Sequence, residues 1–102
     1  MPDLTQPPDI DEALRKLVEQ PSYASQVLTV TARLTERRAL TPVTARSLHE
    51  DLQTAEATIL GTLPESVQHI ASTRARTHLP YPYAGSAHEY AARLRTAAGA
   101  LR

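Results

Sequence analysis

Apolar residues recur along this chain at steps of three and four, the spacing of one helical face, and no segment sustains the alternation a strand would need. Ile10, Leu14, Leu17 and Val18 form the first stripe. Pro8-Asp9 opens it, with Asp9 as cap and Asp11 and Glu12 in the first turn, and Pro21 stops it. Ahead of it, "MPDLTQPPD" carries three prolines in nine residues and reads as an extended lead-in over residues 1–8. Tyr23, Val27, Val30, Thr31 and Leu34 predict a second helix from about Ser22 to Ala39. Alternatively, Pro21 is its first residue and the first helix continues into it through a kink.

The third helix carries Leu48, Leu52, Ala55 and Ile59, with Thr41 as cap, Pro42 at the first helical position and Gly61 as its close. Thr62-Leu-Pro-Glu65 has the capping-box pattern and opens a fourth, carried by Leu63, Val67, Ile70 and Ala71 and ending before Pro80. Ser86-Ala-His-Glu89 repeats the pattern and opens a fifth, with Ala87, Tyr90, Ala91, Leu94, Ala98 and Leu101 on one face. The links from the second helix to the fourth are short, which favours antiparallel neighbours. The prediction is an all-α fold: a small antiparallel up-and-down bundle of four to five helices, one domain over residues 9–102.

Antiparallel order would bring the end of the second helix, the start of the third, the end of the fourth and the start of the fifth to one pole. Arg37, Arg38, Arg46, Arg74, Arg76, His78, Tyr81, Tyr83, His88 and Tyr90 would gather there. On the fourth helix, Arg74 and His78 fall within about 60° of Leu63, so its apolar face turns cationic in the last two turns. The N-termini of the third and fifth helices would add free backbone N–H groups. Such a pole suits a phosphate, a carboxylate or an acidic segment. Ordinary structural roles account for the same residues: arginine complements a helix C-terminus, a Tyr-Pro loop covers a core, and Asp9, Asp11 and Glu12 neutralise the cations.

Composition narrows the field. Among 102 residues, eleven Lys+Arg balance eleven Asp+Glu, so overall charge names no partner. The balance is uneven along the chain: residues 1–20 hold five acids and two bases, whereas residues 72–102 hold one acid and five arginines. Alanine dominates the apolar set, giving a thin core and close helix approach. With no cysteine there is no disulfide framework, thiolate nucleophile or Cys-based zinc site, and no leader or spanning run is evident; a soluble cytoplasmic protein is expected.

Motifs for chemistry are sparse. His49, His69, His78 and His88 show neither H-E-x-x-H nor a pair four apart, so no metal is expected. Three glycines exclude a Gly-rich phosphate cradle, and no nucleophile elbow is present. No cofactor is expected. The leading expectation is a non-enzymatic binding or regulatory module. It would recognise an acidic or phosphorylated protein partner, or a small anion, through Arg38, Arg74, Arg76, His78, Tyr81, Tyr83 and His88. One alternative is an accessory DNA- or RNA-binding protein using the Arg-rich C-terminal third, although Glu50, Asp51 and Glu56 would repel phosphates. A second is a small enzyme using His78 with Tyr81 or Tyr83. The Ala-rich stripe of the fifth helix would serve either a homodimer face or the protein's own core.

Overall fold

A computed structural model of the chain describes residues 21–102. The lead-in and the helix predicted from Asp9 lie outside the described residues. Within them the protein is all-α: α1 spans Tyr23–Glu36, α2 Ala45–Leu60, α3 Glu65–Thr77 and α4 Ala87–Ala100. No strand forms among the described residues, and one isolated bridge pairs Pro42 with Ser86.

Local chemistry sets the helix starts. Ser22 Oγ accepts from Ser25 N at 3.1 Å and opens α1. Ser86 does the same for α4, accepting from Glu89 N at 3.2 Å. The other two starts differ from expectation. The cap of α2 is Thr44, not Thr41, and its reciprocal partner is Ser47. The segment before it is spent on α4: Thr41 O accepts from Ala87 N at 2.8 Å and Val43 N donates to Gly85 O at 3.0 Å. Val43 itself is buried. Helix α3 begins behind Pro64, without a side-chain cap, so the Thr62–Glu65 box does not form. A turn from Leu63 N to Leu60 O and a bond from Gln68 Nε2 to Leu63 O shape this start instead. Gly61 closes α2 in a right-handed conformation (φ −58°), where a Cβ would run into the Ala57 carbonyl oxygen. Helix α1 stops at Glu36, and Ala39 (φ 53°) then turns the chain through the left-handed region.

Helix α1 is the hub, packing on α2, α3 and α4, while α4 approaches no other described helix as closely. Ser22 Oγ donates to Leu101 O at 2.6 Å and Ser25 Oγ to Ala98 O at 2.7 Å, so the start of α1 lies against the end of α4. At the other extremity, His88 N donates to Ala39 O at 3.0 Å. Ala24, Ala32, Ala91 and Ala98 are buried between or near these two helices and let the backbones approach.

The buried face of α4 is the predicted one: Ala87, Tyr90, Ala91, Leu94, Ala98 and Leu101. That stripe serves the protein's own core, so it is not free as a dimer face. Helix α1 instead buries Ala24, Val27, Leu28, Thr31, Ala32 and Thr35, leaving Tyr23 44 % exposed. A helix enclosed on three sides buries more than one stripe, which the single-face reading could not anticipate. On α3 the core contacts are Ala71 and Ala75, and Ile70 is turned outward at 67 % exposure. The buried polar residues Ser25, Thr31, Thr35 and Asp51 are all hydrogen-bonded, as buried polar groups must be.

Candidate functional site

The seven residues expected at one pole are distributed over several places. Arg38 reaches from the turn after α1 to α2, where its Nε donates to Asp51 Oδ2 at 3.0 Å and its Nη2 to Oδ1 at 2.8 Å. Thr35 Oγ1 adds a third bond to the same carboxylate at 3.0 Å, and Glu50 stands 3.7 Å away. The Asp51 bond holds the Arg38 guanidinium above its ordinary pKa, against the opposing effect of desolvation. Arg76 is likewise committed, to Glu56 Oε1 at 2.5 Å, while Ser72 Oγ bonds the other Glu56 oxygen. Both arginines complete internal ion pairs and are not vacant anion receptors.

His88 lies on exposed α4 surface, with its Nδ1 3.9 Å from Glu36 Oε1. Glu36 is gripped by Arg95 through both guanidinium nitrogens, at 2.7 and 3.2 Å. That bond is the chief reason its carboxyl titrates below the ordinary 4.5, with the charges of Arg95 and His88 adding to it and desolvation opposing. The N-terminus of α4 is also occupied: Ala87 N and His88 N donate to the carbonyls of Thr41 and Ala39, and Glu89 N to Ser86 Oγ. The backbone donors expected to attract an anion there already have partners.

His78 caps α3, with its Nδ1 2.9 Å from Arg74 O. It borders an open groove of about 390 Å³ with Pro80, Arg93, Ala97 and Ala100. That position is some ten residues along α4 from His88, roughly 15 Å at helical rise. The hydroxyl that borders it, Thr96 Oγ1, donates to Ala92 O at 3.2 Å, and no carboxylate lines the groove, so it assembles no acid/base pair. Among the described residues, no three His, Asp or Glu side chains converge as a metal set.

Among the described residues, the tyrosines of the Leu79–Gly85 loop and α4 form a coherent constellation. The loop from Leu79 to Gly85 is tied to α4 at two carbonyls: Tyr90 Oη donates to Pro80 O at 2.7 Å, and Arg93 Nη1 to Pro82 O at 2.8 Å. The Tyr81–Pro82 peptide is cis, and Gly85 (φ 89°) supplies the left-handed turn into the Ser86 cap. Tyr90 is fully buried, and burial pushes its hydroxyl well above its ordinary pKa. Its ring meets Tyr83 edge to face at 6.3 Å, and Tyr83 meets Tyr81 in the same manner at 5.7 Å. Arg93 covers the Tyr90 ring at 5.3 Å. A file of aromatic rings therefore runs from the core to the surface, ending at Tyr81, which is 82 % exposed.

Arg93 is the residue sequence reasoning missed. Its signal was its place three positions after Tyr90, on the same side of α4. Arg74 belongs elsewhere, on a groove with Tyr23, Val67 and Ile70. Comparison with known proteins gives no match to a family model, to a curated protein or to a solved structure.

Proposed function

We propose that this chain is a non-enzymatic regulatory or scaffolding module that holds an acidic or phosphorylated segment of a protein partner on the tyrosine loop. Tyr81 and Tyr83 supply the aromatic contact and Arg93 the positive charge beside it, while His78 lines the adjoining groove. The observation that carries this reading is the pairing of high exposure at Tyr81 with a loop held at both Pro80 O and Pro82 O. An exposed aromatic on a pre-organised loop loses little conformational freedom on binding, which is what a recognition anchor needs. The surplus of arginine over residues 72–102 gives the surface its preference for anions. Arg38, Arg76 and His88 act in this reading through the fold, by fixing the helices that carry the loop.

The reading takes the helices to run in antiparallel up-and-down order. Its support is the meeting of Ser22 with Leu101 and of Ala39 with His88. It also takes the protein to work in the cytoplasm, in keeping with a chain free of cysteine. An NMR titration with an acidic peptide, its phosphorylated form and inorganic phosphate tests it. Shifts concentrated at His78, Tyr81, Tyr83 and Arg93 support the site, and phosphate acting alone would identify a small anion as the ligand. Shifts spread evenly over the molecule refute it. DNA or RNA binding that collapses with salt would replace it with the nucleic-acid reading.

A further inference from the structure

A second surface stands apart from the tyrosine loop and does not depend on the reading given to that loop. Tyr23 and Ala24 at the start of α1 and Val67, Ile70, Ala71 and Arg74 on α3 line a mostly apolar groove of about 280 Å³. Ala24 and Ala71 are buried at its base, whereas Ile70 is 67 % and Tyr23 44 % exposed. Two large apolar groups left in solvent on one groove mark a contact surface. Val67 and Ile70 belong to the apolar stripe of α3, yet the residues of that helix buried in the core are Ala71 and Ala75.

We infer that this groove is the docking seat for an acidic amphipathic helix of a protein partner, with apolar side chains against Tyr23, Val67 and Ile70 and a carboxylate at Arg74. Charge identifies the occupant first. Arg74 is the charged residue of the described lining and makes no ion pair among the described residues. The acids nearby, Glu56 and Glu65, line a different groove with Gln68, His69 and Ser72. Glu65 precedes Arg74 by nine residues, about 180° around α3, so it faces away from Arg74. Beyond His78 the next groove holds Arg93 and, again, no described carboxylate. An anionic partner therefore meets no repulsion along this side.

Conformation follows from what the seat offers. Its lining presents side chains and no sheet edge, so an extended segment would leave its backbone N–H and C=O groups without partners, whereas a helix satisfies its own. Val67 to Arg74 spans about 10 Å, or two turns of a docked helix with anchors at i, i+3, i+4 and i+7. A second copy of this chain is the poorer occupant. Two-fold self-pairing would turn Arg74 toward its own counterpart with no described carboxylate of this groove between them.

The test titrates isotope-labelled, full-length protein with an acetylated helical peptide that has leucine at those four anchor positions and glutamate beside them. A matched peptide has lysine in place of glutamate. Amide shifts are expected at Tyr23, Val67, Ile70 and Arg74, with the glutamate peptide bound about tenfold tighter or more. Ile70 and Arg74 are exposed, so substitution there leaves the core intact. Arg74→Glu should reverse the preference, and Ile70→Ser should weaken both peptides about tenfold. Tyr81→Ala should leave these shifts in place; their loss in that variant would assign the peptide to the loop and overturn the inference. Absence of shifts at the groove overturns it too, as does a preference that Arg74→Glu does not alter. Shifts at Tyr23 and Ile70 that grow with protein concentration alone also overturn it, and assign the groove to a second copy.

Discussion

The guanidinium of Arg38 holds both carboxylate oxygens of Asp51 across the α1–α2 interface. Asp51 is buried to 7 % exposure, whereas the Arg38 side chain keeps 35 % of its surface in solvent, so the two deletions differ in what they leave behind. Arg38→Ala strands a buried carboxylate with Thr35 as its remaining donor. Asp51→Ala leaves a cation that can still reach water. We expect losses of about 2–3 kcal/mol for Arg38→Ala and about 1–2 kcal/mol for Asp51→Ala in urea unfolding. The double variant should cost less than the two together, because each single change already breaks the pair. Strict additivity would show that the pair contributes nothing.

Close approach of α1 and α4 relies on small side chains. Ala91 is fully buried on α4, so Ala91→Leu must push the helices apart or force strained rotamers. A destabilisation of about 2 kcal/mol is expected from the denaturation midpoint. The exposed Ala92→Leu, one position on, should leave it within about 0.5 kcal/mol.

Stability should fall at both ends of the pH scale for separate reasons. Glu36 protonates at lower pH in the folded chain than its ordinary 4.5, chiefly because Arg95 bonds it. Its contribution is therefore present above about pH 4.5 and lost as pH falls through the folded value. Tyr90 is displaced the other way: burial keeps its hydroxyl neutral beyond the ordinary 10.0, so the unfolded chain ionises first and stability declines above about pH 10. Thermal unfolding across pH should show Glu36→Gln flattening the acid limb alone and Tyr90→Phe the alkaline limb alone.

Ala39 adopts φ 53°, a conformation that costs a residue with a Cβ. Ala39→Gly should stabilise the protein by about 0.5–1 kcal/mol, read as a raised melting temperature. Unchanged or lower stability would mean that the turn carries no such strain.

Tyr81 projects from the loop and contributes almost nothing to the core. Tyr81→Ala should leave the melting temperature unaltered while weakening acidic-peptide binding about tenfold or more. Tyr90→Phe should weaken binding by a smaller factor, because it releases Pro80 O and loosens the loop without removing a contact. Equal losses from both variants would argue for a general effect on folding.

The helical class and the face of α4 followed from periodicity alone, since that helix meets its main neighbour along one side and one stripe suffices. Its Ser86 cap was equally legible, because capping is decided within four residues. Thr41 illustrates the limit. Thr41-Pro42 is a sound helix start taken locally, but Thr41 O is drawn to Ala87 N, forty-six positions away, and the helix waits for Thr44. The candidate site divides in the same way. Tyrosines in a proline loop could be read from the chain, whereas their exposure, their edge-to-face order and the role of Arg93 depend on how the loop lies across α4.

By itself, then, the sequence determined the all-helical character, the alanine-rich interfaces and the stretch that carries the tyrosines, because these depend on spacing and composition within a few turns. Tertiary structure decided which charges are spent. Arg38 and Arg76 look like a receptor along the chain, and only the packing of α2 brings Asp51 and Glu56 up to neutralise them. Coulombic pairing depends on separation in space, which neighbours in sequence do not encode.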